Sequence, residues 1–124
     1  MTANEKSALT VARAYHRAWT GGNIAEAGGY LVENLETDVP INQYPSRAEF
    51  LEAVRRTGQA TSSVHVLAEF GNADEALLVY DMTLDPIGPL RIAEHFTVAD
   101  GRIVKIRHVH DTAALRAAGL AREG

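Results

Sequence analysis

The sequence predicts an α+β fold: helices come first and pack on one face of a strongly curved, mainly antiparallel β-sheet. Three observations carry this. In the first half of the chain, apolar residues recur at helical spacing and stop at glycines. Beyond Gly58 the pattern changes to alternation, in runs separated by Gly, Asn, Asp and Pro. The 124 residues suit a single domain spanning 1–124, and a chain of this length buries roughly two-thirds of its unfolded surface.

The elements follow in order. Thr2 and Glu5 have capping-box spacing, and Ala8, Val11, Ala12, Tyr15, Ala18 and Trp19 then share a helix face that ends at Gly21-Gly22. Asn23 to Glu26 repeats the cap pattern and opens a short helix towards Tyr30 and Leu31. Leu35 to Ile41 reads as a short strand closed by Pro40. Ser46 to Glu49 is the clearest capping box and starts a third helix, with Phe50, Leu51 and Val54, that stops near Gly58. Val64, Val66, Ala68 and Phe70 then alternate with His65, Leu67 and Glu69. Strands follow at Glu75 to Leu84, Leu90 to Val98 and Ile103 to His110, with a hairpin signal at Asp100-Gly101. Asp111 caps a short last helix that ends before Gly119.

Composition narrows the function. Hydrophobic residues make up 46% and charged residues 23%, an ordinary globular balance. The net charge of -4 offers no basic field, so nucleic acid and membrane surfaces are not expected partners. Absence of cysteine removes thiolate metal sites and thiol nucleophiles, and fits a reducing, cytoplasmic setting. Chemistry is left to His, carboxylates, Tyr, Ser/Thr and Arg.

Strand phase points to one cluster. In Leu90 to Val98 one face reads Leu90, Ile92, Glu94, Phe96 and Val98, apolar except for Glu94. A carboxylate there needs a partner or must give up its charge. In the following strand Lys105 and Arg107, with Ile103 and Val109, mark the outer phase, so Val104, Ile106, His108 and His110 face inwards. A three-residue loop, Asp100-Gly101-Arg102, supplies the parity that opposes Val98 to Val104, Phe96 to Ile106 and Glu94 to His108. His110 then lies opposite Ile92, and a two-residue slip would bring it opposite Glu94. The preceding strand adds Tyr80 and Met82 to the lining. Its outer phase mixes Leu77 and Val79 with Asp81, which suggests a homodimer through the outer sheet face. His16, His65 and His95 fall on polar phases and are expected to be solvated or interfacial.

The chain resembles the nuclear transport factor 2-like superfamily and, within it, SnoaL-like polyketide cyclases and ketosteroid isomerase-like proteins. The resemblance rests on Ala14-Tyr15-x-x-Ala18-Trp19-x-x-Gly22-Asn23, on Tyr30-Leu31-Val32-Glu33-Asn34, on Glu94-His95-Phe96-Thr97-Val98-x-Asp100-Gly101-Arg102-Ile103, and on Ile106-Arg107-x-Val109-His110-Asp111. It implies a cone-shaped, cystatin-like fold in which three N-terminal helices close over a bent sheet and leave a deep pocket. It implies further that Tyr15 matches the oxyanion-hole tyrosine of ketosteroid isomerase and Glu94 its protonated aspartate. The position of that enzyme's base falls on Val39, with Asp38 beside it and pointing the other way.

The expected function is cofactor-free acid–base catalysis, of isomerase, cyclase or lyase type, on a small apolar oxygenated molecule. Glu94 and His108 would shuttle a proton, with His110 near them, and Tyr15 would steady the developing oxyanion. Trp19, Tyr30, Phe50, Tyr80, Met82 and Phe96 would line the cavity. Asp38 and Asp111 are further candidates, Asp111 with Glu94 and water in an epoxide-opening reading. The other alternative is a non-catalytic binding or dimerisation module using the same pocket. His108 and His110 form an H-x-H pair, but a metal would need Glu94 as third ligand, and no metal is expected.

Overall fold

The structure, a computed structural model, describes residues 7–119. Helix α1 spans Ala8–Thr20, and Ser7 caps it by accepting a 3.2 Å hydrogen bond from the Thr10 amide. The expected Thr2–Glu5 box lies outside the described residues. Val11, Tyr15, Ala18 and Trp19 are buried as their spacing predicts, but His16 is buried with them, against expectation. It stands four residues after Ala12 and three before Trp19, so it belongs to the apolar face despite its polarity.

Helix α2 is Ile24–Gly29, preceded by Asn23 without a side-chain cap bond. Strand β1 runs Leu31–Asp38, starting and ending earlier than expected. Leu31 and Leu35 both point inwards, but a register shift between Leu31 and Glu36 breaks the alternation that would reveal the strand. Helix α3 spans Arg47–Ala60, passing Gly58 and ending only where Thr61 turns extended. Ser46 Oγ donates to the Glu49 carboxylate at its start, and this bond holds the Glu49 carboxyl below its ordinary pKa.

Strands β2 (Thr61–Gly71), β3 (Glu75–Leu84), β4 (Gly88–Ala99) and β5 (Arg102–Val109) follow, then the short helix α4 (Ala113–Ala117). The sheet order is β1-β5-β4-β3-β2; β1 pairs with β5 in parallel and the other pairs are antiparallel. The helices pack against this open five-stranded sheet, an α+β cone. The core sits between α1 and the inner sheet face, where Leu78, Tyr80, Phe96, Ile103 and Ile106 are buried.

Two phase assignments change. In β2 a bulge between Val66 and Ala68 reverses the faces: Phe70 opposes Leu77 on the outer side and is 66% exposed, and Glu69 turns to pair with Arg13 of α1. In β5 Ile103 faces inwards and is fully buried, opposite Val98. The β4–β5 turn holds only Asp100 and Gly101, both with positive φ (52° and 76°), the signature of a two-residue hairpin turn. Register then shifts between Thr97 and Val98, leaving Val104 unpaired, and beyond it Phe96 opposes Ile106 and Glu94 opposes His108.

Candidate active site

The site is built from one row of the sheet. Leu78, Glu94 and His108 are directly opposed across β3, β4 and β5, and Tyr80 lies diagonal to Glu94. Glu94 is only 2% exposed. Its Oε1 accepts a 3.0 Å hydrogen bond from the Tyr80 hydroxyl, and its Oε2 lies 2.7 Å from His108 Nε2. Both carboxylate oxygens thus have partners, which makes burial of this group tolerable. The His108 side chain keeps 18% exposure, so one end of the dyad is sealed and the other open.

The surrounding phenols are held protonated. Burial raises the Tyr15 hydroxyl well above its ordinary pKa, and the nearby Glu94 charge raises it further. Tyr80 is raised well above its ordinary value for the same leading reason, with Glu94, Tyr15 and its own bond to Glu94 adding to it. His16 stands behind Tyr80, ring centroids 4.8 Å apart, and its buried Nδ1 has no hydrogen-bond partner among the described residues. Burial lowers its pKa, while the charges of Glu94 and Glu69 oppose that shift, so His16 is a neutral ring in the folded chain.

Tyr15, Tyr80, Glu94 and His108, but not His16, border a cavity of about 570 Å³. That is the size of a small-molecule site, and most of its lining is apolar. Tyr15, Glu94, His108 and His110 all reach its wall, as do Trp19, Phe50, Tyr80 and Met82. His110 lies just past β5, its ring 6.4 Å from that of His108, with Nδ1 3.0 Å from the Asp111 carbonyl.

Four expected residues lie off the wall. Tyr30 packs against the core at the end of α2. Phe96 is completely buried, edge-on to Tyr15. Asp38 is exposed and ion-paired to Arg107, at 3.0 Å. Asp111 is exposed, and its Oδ1 accepts from the Ala113 amide at the start of α4. Among the described residues no cluster of three or more His, Asp or Glu is arranged to hold a metal ion.

Some wall residues escape a reading of strand phase. Val39, Asn42 and Tyr44 come from the segment between β1 and α3, and Leu115 from α4. Irregular segments carry no periodicity to mark which side chains point inwards. Tyr80 as partner of Glu94 did leave a signal, since it shares the inner face of β3 two residues after Leu78.

The SnoaL-like domain profile matches residues 12–106, most of the described chain. The chain belongs to the SnoaL-like domain family. A protein from Kribbella flavida DSM 17836 is 33% identical to this SnoaL-like chain, with a TM-score of 0.85 over 91% of this chain and 93% of that one. An NTF2-like protein of unknown function from Cytophaga hutchinsonii is 14% identical, with a TM-score of 0.80 over 93% and 99%. A protein provisionally assigned as a ketosteroid isomerase, also from Kribbella flavida, is 20% identical, with a TM-score of 0.71 over 86% and 78%. These two more distant likenesses establish the NTF2-like fold of this SnoaL-like domain. No curated protein matches it.

Proposed function

We propose that this SnoaL-like domain is a cytoplasmic acid–base enzyme that moves a proton on a small apolar molecule bearing a carbonyl or related oxygen. One observation carries the reading: a buried carboxylate, bonded among the described residues by a phenol and an imidazole, stands in the wall of a largely apolar cavity. With Nε2–H donated to Glu94, a neutral His108 has its lone pair on Nδ1, the atom that takes the proton from the substrate. Glu94 then stabilises the imidazolium that forms, and Tyr80 steadies Glu94. Tyr15, kept protonated by burial, donates to the developing oxyanion. His110 is placed to orient the substrate or return the proton. Trp19, Phe50 and Met82 hold the apolar skeleton. No step in this scheme requires a cofactor, and the name of the isomerase-like relative agrees with the reaction class. The same reading includes a homodimer through the outer sheet face.

A second reading, binding without turnover, is favoured by Val39. This residue stands on the cavity wall, at the position the family resemblance assigns to the isomerase base, and carries no titratable group. The epoxide-opening reading has no such support: Asp111 is exposed, off the cavity wall and bonded to the Ala113 amide, and Thr112 rather than the expected Asp111 stands at the N-cap of α4.

Exchange of the α-protons of 2-tetralone in D2O, followed by NMR, separates the first two. The enzyme reading expects exchange above the buffer rate and a loss of about 10²-fold in His108→Gln. Binding of tetralone without exchange supports the binding module instead. Neither binding nor exchange overturns both readings for ketones.

A further inference from the structure

The cavity wall carries one arginine among the described residues, Arg56 on α3. The arginines at 13, 55, 91 and 107 each hold a carboxylate, of Glu69, Glu52, Asp81 and Asp38. Arg56 makes no ion pair or hydrogen bond among the described residues. The acid one turn before it, Glu52, is taken by Arg55 through two bonds of 3.0 and 2.5 Å. Arg56 is exposed, whereas Glu94 and Phe50 of the same wall are buried. The cavity therefore has a buried end with the carboxylate–imidazole pair and a solvent end with a guanidinium that, among the described residues, is held by no bond and feels Glu52 only through space.

A neutral apolar ligand gains little from a cation at the mouth. A ligand with an anionic group gains a charge-assisted, bidentate contact that a guanidinium fork is shaped to give. From this geometry we infer that the ligand is an amphiphilic acid: its carboxylate sits on Arg56, and its apolar body extends towards Glu94 and His108. This rests on the reading of the cavity as a small-molecule site. The other exposed charge on the wall, Asp85 in the β3–β4 turn, makes no ion pair with Arg56, and it repels an anion from its own side of the mouth. The carboxylate is thereby directed to the α3 side.

The test compares 2-naphthylacetate with its neutral amide, 2-naphthylacetamide, by isothermal titration calorimetry. The anion is expected to bind the parent about tenfold more tightly than the amide, with a preference that shrinks as salt rises. Arg56→Gln should abolish the preference and leave the amide unchanged. Arg56→Lys should keep part of it, and Asp85→Asn should widen it. Equal binding of the two probes, no binding of either, or an unchanged preference in Arg56→Gln overturns the inference. Failure of tetralone exchange with the anion preference intact overturns the proposed chemistry and leaves the role of Arg56 standing.

Discussion

Glu94 and His108 meet across β4 and β5 at 2.7 Å because Val104 is skipped in the pairing. The hairpin turn has two residues, and two-residue loops pair positions of opposite phase. Ala99 opposes Arg102 and Val98 opposes Ile103 in that register. Carried on unbroken, it would set Glu94 against Arg107. The unpaired Val104 shifts the pairing by one and brings the imidazole to the carboxylate instead. The bulge is thus what composes the dyad.

Glu94 should be costly to truncate and informative to neutralise. Glu94→Ala leaves the Tyr80 hydroxyl and the His108 ring without their shared acceptor, and should destabilise the chain by about 3 kcal/mol in urea unfolding. Glu94→Gln keeps the volume and one acceptor, so it should fold with a smaller loss. Its tetralone exchange should nevertheless fall about 10²-fold, because it cannot stabilise an imidazolium. Exchange at the parent rate in a folded Glu94→Gln variant would remove the carboxylate from the chemistry.

His16 should make the domain acid-sensitive. Its folded pKa lies below the unfolded value of about 6.5 because burial disfavours the charged ring. Between the two values the unfolded chain binds the extra proton. The stability contributed by the neutral ring is therefore complete above about pH 6.5 and is lost as pH falls towards the folded pKa. In urea titrations from pH 8 to pH 5, His16→Leu should flatten this slope, by at most about 1.4 kcal/mol per pH unit for one proton. Losing the unpartnered Nδ1 should cost nothing at pH 8. Parallel pH profiles for parent and variant would rule out His16 as the source.

Much of this site was legible in the sequence because strands report their faces by alternation. Glu94 stands out as the one charge in the phase of Leu90, Ile92, Phe96 and Val98, and Lys105 and Arg107 identify the outer side of β5. Strand phase leads to this pair through a three-residue loop, whereas the turn itself has two residues. A three-residue loop gives the same parity as a two-residue loop plus a bulge, and alternation cannot tell them apart. Bulges also hid the outward turn of Phe70 and the start of β1. The polarity of His16 masks its place on the apolar face of α1, where helical position sets its burial. The cavity mouth was not legible, since Asn42, Tyr44 and Arg56 reach it from an irregular segment and from the flank of a helix face.

The two-residue turn makes its own prediction. Gly101 has a φ of 76°, where a Cβ is disfavoured, so Gly101→Ala should cost about 1 kcal/mol. Asp100, at φ 52°, sits where Asn is better tolerated than Asp or any branched residue, so Asp100→Asn should be neutral or slightly stabilising. Thermal unfolding of the two variants checks the pair. A neutral Gly101→Ala would mean that the turn relaxes to a longer loop.

The outer sheet face supports the proposed homodimer. Ala68, Val79, Ala93 and Val109 are directly opposed across β2, β3, β4 and β5, forming one apolar row. Phe70 and Leu77 extend it on one side, and Phe70 and Val109 are 66% and 64% exposed. His65, Asp81 and Arg91 border it on the other, with Arg91 bonded to Asp81 at 2.7 and 2.9 Å. An apolar band with charged flanks is self-complementary under a two-fold axis. Light scattering should give twice the 13.4 kDa chain mass. Val79→Glu sets a carboxylate in the middle of each apolar row, so two of them meet across the axis, and the variant should be a monomer. Because Val79 faces away from the cavity, that monomer should still bind naphthylacetate. A parent that scatters as a monomer at high micromolar concentration would leave this face without a second copy to cover it.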